Sequence, residues 1–259
     1  MHKIIKAEII MLLGEIKQYY VNYIFYNLGI VILFCGIFFN YYSNQSENNA
    51  IAMLISAVLW QICSSAIQYY TYLIQDEAMM GTLEQMFLTK TSFGRIIISK
   101  TIVNMGFVLI KGAFIFLMCI CVFFRRLMSF KITLVQAGII FCLFIITVVV
   151  FYGIGGFFGG LSLYFKRISS VTNVVNYFLL MFTGVLKNPG DYNDIFEAIT
   201  KIIPLTNANI LIGEVINGSV KQEDIIRFFC SSVLFLAIGI VGMNVMLDYA
   251  RKDGKLGQY

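Results

Sequence analysis

Residues 132–162 read ITLVQAGIIFCLFIITVVVFYGIGGFFGGLS, and not one of them is charged. At 1.5 Å per helical residue such a run crosses the roughly 30 Å hydrocarbon core of a bilayer. Five more apolar runs accompany it, at about 20–40, 50–75, 96–123, 171–187 and 225–248. The run at 171–187 lies near the lower limit of about 17 residues for a spanning helix. The whole chain agrees with this reading: of 259 residues, 59% are apolar and 13% charged. A water-soluble fold carries about 25% charged residues, and a disordered chain is poor in the aromatics that are abundant here. The expected class is an all-α integral membrane protein with six transmembrane helices.

The glycines Gly153, Gly155, Gly156, Gly159 and Gly160 sit at the end of the quoted run. They follow no strand and do not fit a dinucleotide-binding loop. Gly155/Gly159 and Gly156/Gly160 have the small-xxx-small spacing that lets helices approach closely in lipid.

Ahead of the first span, Ile5, Ile9, Leu12 and Ile16 share one helical face. Residues 1–19 are too short in apolar length for a signal peptide, so an amphipathic interfacial helix is expected. Orientation follows from Lys and Arg. With both termini cytoplasmic, the inner segments hold eleven basic residues and the outer ones seven, with Lys111 left inside a span. Arg125, Arg126 and Lys131 oppose this assignment, but the balance favours it.

Several function classes are excluded. The basic residues form no stripe for nucleic acid. The six cysteines all lie within apolar runs and form no C-x-x-C pair, so they read as small hydrophobes. The one histidine is His2, so no metal cluster is foreseen. No carboxylate falls inside an apolar run, which leaves general acid–base chemistry without its groups. The chain is not expected to be an enzyme.

The segment between the second and third spans carries the most information. Residues 75–95 read QDEAMMGTLEQMFLTKTSFGR. Thr82 and Gln85 have capping-box spacing, so a helix should begin at Thr82, with Glu84 in its first turn. Leu83, Met86 and Phe87 fall on one face of about two turns. Ser92 is placed to cap a second helix leading into the third span. An apolar knob of this kind suits a groove on a partner, or it packs on its own protein. Periodicity alone leaves both open.

The run Glu77, Gly81-Thr82-Leu83-Glu84-Gln85, Leu88-Thr89, Ser92, Ile96-Ile97-Ile98 and Lys100 resembles the coupling-helix region of type-2 ABC exporter permeases. The likeness extends to the layout of the chain, and Pro204-Leu205-Thr206 resembles the proline of that family's outer re-entrant region. Three positions depart from the pattern: Ala78 stands where a basic residue is usual, Lys90 where proline is common, and Ser99 where glycine is common. The resemblance implies a single transmembrane domain over 1–259. Within it, 1–19 is interfacial, 76–95 is a cytoplasmic coupling loop and 188–223 is an outer re-entrant segment. It also implies contact of Glu77, Gly81, Thr82, Leu83, Glu84, Gln85, Met86 and Phe87 with a separate ABC ATPase subunit. No Walker A sequence is present, so no cofactor is expected in this chain, with ATP and Mg²⁺ held by the partner. A homodimer or a heterodimer with a similar permease is implied, in a bacterial plasma membrane, alongside lipid and without nucleic acid. The expected cargo is a drug, peptide, lipid or glycan.

Lys111 lies eleven residues beyond Lys100, about 16 Å along the helix and so near the midplane. A lysine there is costly, which suggests a place on the translocation path, or else a side chain satisfied by carbonyls and water. The outer residues 188–223 begin with a turn signal, Asn188-Pro189-Gly190-Asp191. They continue in two short helices carrying Ile195, Ile199, Ile202 and Ile203, then Ile210, Leu211 and Val215. A secondary transporter is the rival reading, but it lacks intramembrane carboxylates and an internal repeat. A non-transporting scaffold or immunity subunit is a further alternative.

Overall fold

The structure, a computed structural model, describes residues 2–42, 47–127, 132–165, 167–186 and 193–252. These form ten helices: α1 (His2–Gln18), α2 (Tyr20–Tyr42), α3 (Glu47–Met79), α4 (Thr82–Leu88), α5 (Phe93–Leu127), α6 (Leu134–Phe165), α7 (Ser169–Phe182), α8 (Asp194–Thr200), α9 (Pro204–Asn217) and α10 (Gln222–Lys252). Five of them, α2, α3, α5, α6 and α10, are long and apolar enough to cross a membrane. Each matches an expected run within a few residues, because uninterrupted apolar sequence leaves the backbone no alternative to helix in hydrocarbon.

The expected run at 171–187 differs. Helix α7 is only 14 residues long and stops at Phe182. Gly184 adopts φ +86°, a left-handed conformation that ends a helix readily. The chain then bends through 183–186 with Val185 buried. Irregular backbone at this depth must be satisfied by protein. The Asn209 Nδ2 group on α9 donates to the Thr183 carbonyl at 2.8 Å. The turn expected at Asn188–Asp191 falls outside the described residues.

Helix α3 runs through the middle of the bundle, with 94% of its apolar window buried, whereas α2 shows 17%. The most extensive helix pairing is α6 with α10, followed by α6 with α3. Glycine explains both. A Cβ added at Gly155 would stand 2.6 Å from the Ala66 carbonyl oxygen on α3, and one at Gly159 would stand 2.9 Å from the Tyr70 Cβ. On the other side of α6, Gly156 and Gly160 meet Met243 and Met246 of α10. The expected small-xxx-small packing is therefore realised twice, one pair of glycines for each neighbour. The partner signal on α10 lies in Gly239, where an added Cβ would come within 2.3 Å of Gly153 backbone atoms.

All six cysteines are free. Cys63 and Cys119 are buried and Cys35 is half-buried, as small hydrophobes should be. Cys121, Cys142 and Cys230 are exposed instead, on outward faces of apolar helices.

Candidate functional site

The α3–α4–α5 junction assembles the segment singled out in the sequence. Helix α4 does begin at Thr82, but by a different device from the expected capping box. Gly81 is the N-cap at φ +69°, and no side chain caps the helix. The left-handed turn needs a residue without a Cβ penalty. Thr82 is the first helical residue. Its hydroxyl turns back on α3, donating to the Glu77 carbonyl at 3.0 Å and to the Glu77 carboxylate. At the other side of the junction Ser92 precedes α5, and its carbonyl accepts the Ile96 N–H at 3.3 Å.

The apolar face of α4 points inward. Leu83 and Met86 are buried in the protein's own core, and Phe87 stacks on Phe93 of α5 with ring centroids 4.2 Å apart. The expected knob thus anchors α4 to its own chain. What faces outward is a different set: Met80, Glu84, Gln85 and Leu88, with Leu88 85% exposed. Ala78 is buried and Lys90 exposed. Ser99 is fully buried, its hydroxyl returned to the Arg95 carbonyl at 2.8 Å.

Glu77 is the hub of the junction. One carboxylate oxygen takes the Thr82 hydroxyl, and the other lies 3.2 Å from Lys100 Nζ on α5. Lys100 also reaches Glu8 of α1 at 3.2 Å. All three side chains are largely withdrawn from solvent, between 11% and 19% exposed. Charges in such a setting interact more strongly than surface pairs. One lysine therefore ties α1, α3 and α5 together, and Glu77 extends the tie to α4. Beside it lies a cavity of about 310 Å³ lined by Glu15, Tyr69, Asp76 and Asn104 among others. One turn deeper, the Thr101 hydroxyl donates to Tyr70 of α3 at 2.8 Å, and the Tyr152 hydroxyl of α6 donates to Asn104 at 2.6 Å. Separate polar pairs thus join α3 to α5 and α5 to α6 beyond the junction.

A sequence comparison places the chain in a family. The family model for the ABC-2 type transporter matches residues 3–214, most of the chain. The chain belongs to the ABC-2 type transporter family. None of the curated proteins matches it by sequence. An ABC-2 membrane domain is a multi-pass permease subunit of an ABC transporter and is not itself catalytic, and the family implies ABC ATPase partners. Among the described residues no group of His, Cys, Asp and Glu is arranged to hold a metal.

Lys111 of this ABC-2 permease is half-buried on α5. Its Nζ lies 4.7 Å from the centroid of the Tyr26 ring on α2, a cation–π arrangement. The Tyr26 hydroxyl in turn accepts from Gln61 of α3 at 3.4 Å. No carboxylate pairs with Lys111 among the described residues.

Sequence reasoning passed over one feature of α3. Gln61, Ser64, Gln68, Thr71 and Gln75 recur every three or four residues, a polar seam along an otherwise apolar helix. Gln68 Nε2 donates to the Asn173 side chain of α7 at 2.8 Å, and Trp60 Nε1 to the Asn176 carbonyl at 3.1 Å. The Asn176 side-chain amide is buried, and neither of its polar atoms finds a partner among the described residues. The seam was legible as a helical period of polar residues rather than apolar ones.

Proposed function

We propose that this ABC-2 permease is the export subunit through which a separate ATPase moves cargo out of a bacterial cell. One observation carries the reading. Helix α4 is anchored by its apolar face and tethered by Glu77, and it presents Glu84, Gln85 and Leu88 outward, beside Met80 of the preceding turn, at the junction of two long helices. A partner that grips this face and moves pulls on α3 directly and on α1 and α5 through Lys100. Glu77, Gly81, Thr82, Leu83, Met86 and Phe87 then act by aiming α4, while Glu84 and Gln85 with Met80 and Leu88 meet the ATPase.

In this reading the α4 end and both termini are cytoplasmic, as the distribution of basic residues favours. Helix α1, which leaves Ile9, Ile10, Met11 and Leu13 exposed while Ile5, Leu12 and Ile16 are half-buried, lies in the interface. Helix α7 with the bent 183–186 makes the sixth crossing, and α8 and α9 re-enter from outside. Two such subunits, identical or similar, form the pathway. Lys111, held over Tyr26, faces that pathway. Outward transport of a drug, peptide, lipid or glycan rests on the resemblance of residues 77–100 to exporter permeases.

The test is co-expression with an ABC ATPase subunit from the same organism, purification in mild detergent and reconstitution. Leu88→Asp should leave the permease folded and abolish ATPase co-purification. Leu83→Asp should instead destabilise the permease itself, because it buries a charge. Retention of the ATPase by the Leu88 variant would remove α4 as the docking element.

A further inference from the structure

We propose that the outward face of α1 is a binding surface for the headgroups of anionic phospholipids. The proposal rests on the reading that α1 lies in the membrane interface, and it names the lipid class that holds the helix there.

Helix α1 sorts its charges by sign. At 3.6 residues per turn, Lys3, Lys6, Ile9, Ile10, Leu13 and Lys17 fall within one arc of about 120°. All six are exposed. The two carboxylates of the helix lie across from that arc. Glu8 holds Lys100 of α5 at 3.2 Å, and Glu15 accepts the Tyr23 hydroxyl of α2 at 3.0 Å. Ile5, Leu12 and Ile16, all half-buried, mark the same inner side. The outer arc therefore carries three lysines and no carboxylate, and none of the three makes an ion pair among the described residues. A face built only for water needs no isoleucines, and one built only for hydrocarbon needs no lysines. Interleaved on one arc, they suit the boundary between headgroups and acyl chains. The apolar side chains enter the acyl region, and each lysine stem lies along it with the ammonium group at headgroup level.

Position selects the partner. Only Tyr19 separates α1 from the span α2. Backbone hydrogen bonds continue through the joint, from the Tyr19 N–H to the Glu15 carbonyl at 2.9 Å and from the Tyr23 N–H to the Tyr19 carbonyl at 3.2 Å. The lysine face is thereby held at the level where α2 leaves the hydrocarbon, and phosphate oxygens are the acceptors within its reach. An ammonium offers three donors and no acceptor. A headgroup of net negative charge satisfies it, whereas a zwitterionic one brings a cation of its own. Each lysine near an anionic surface is worth about a fivefold gain in affinity, and three together on the order of a hundredfold.

The test reads hydrogen exchange at the α1 amides. The whole permease is placed, without an ATPase, in nanodiscs of phosphatidylcholine or of an equal mixture with phosphatidylglycerol. Both leaflets carry the same lipid, so the result depends on neither orientation nor transport. Exchange over residues 2–18 should slow at least about tenfold when phosphatidylglycerol is present, and high salt should shrink the gain. The triple variant Lys3→Gln, Lys6→Gln, Lys17→Gln should lose the gain with an unchanged melting temperature. The triple variant Lys3→Arg, Lys6→Arg, Lys17→Arg should keep it. Equal exchange in the two lipids, with α1 protected in both, overturns the proposal and leaves the interfacial reading standing. Free exchange of α1 in both overturns the two together. A gain that survives in the glutamine variant also overturns the proposal. Protection that appears only on adding an ABC ATPase subunit, and is lost with the same lysines, overturns it and assigns the face to a protein.

Discussion

The two ends of the bundle handle charge in opposite ways. At the α4 end, Lys100 is shared between Glu8 and Glu77, and Glu77 spends its second oxygen on Thr82. Four helices are cross-linked through four side chains, one from each. At the other end, Glu214 takes the Lys221 backbone N–H but no ion pair among the described residues, and the buried Asn209 oxygen finds no donor among them. A saturated cluster transmits displacement, because moving any member breaks a strong contact. One without shared ions transmits less, because its members can shift one at a time.

The largest effect should come from Lys100→Met. It leaves Glu8 and Glu77 facing each other without a cation, at a cost of about 2 kcal/mol allowing for partial exposure. ATP-driven transport should fall at least about tenfold while ATPase binding persists, since α4 stays anchored by Leu83 and Met86. Unchanged transport in proteoliposomes would show that the α4 end is not a mechanical tie. Next comes Asn209→Leu at the other end. It orphans the Thr183 carbonyl and should lower stability by about 1–2 kcal/mol, visible in thermal unfolding in detergent. Glu214→Gln should hardly shift that curve, because the amide oxygen still accepts the Lys221 backbone N–H. Gly81→Ala forces a side chain into a left-handed turn, for about 1 kcal/mol. The expected signature is a raised ratio of ATP hydrolysed to cargo moved, because α4 is aimed differently. Smallest in stability is Lys111→Met. It forfeits a cation–π contact of about 0.5–1 kcal/mol but also removes a charge from the bilayer interior. Melting should hardly move, and cargo flux should fall. Unaltered flux would take Lys111 off the path.

Five long helices could be read directly from the sequence because apolar runs have one backbone solution in lipid. Helix α7 was overextended because Thr183, Gly184 and Val185 look like span, and only a distant asparagine satisfies the broken backbone. The start of α4 was correctly placed, although Gly81 rather than Thr82 supplies the cap. What its apolar face meets stayed open in the sequence for a physical reason. Periodicity shows that Leu83, Met86 and Phe87 stand together, but not whether they meet a partner or their own core. The Glu8–Lys100 pair joins residues 92 apart in sequence, and no local pattern announces it. The α3 seam was written in plain helical period but is invisible to a search tuned to apolar runs.

The backbone contact at Gly153 and Gly239 bears on how motion in this protein should be watched. Two helices touching main chain to main chain have no compliant side chains between them to absorb sliding. Probes attached across α6 and α10 should therefore report a constant distance through a turnover cycle, however vigorous the transport. Such a pair is the internal ruler of the molecule. Spectroscopic labels on α2, most of whose apolar window is not buried in the bundle, should be read against it.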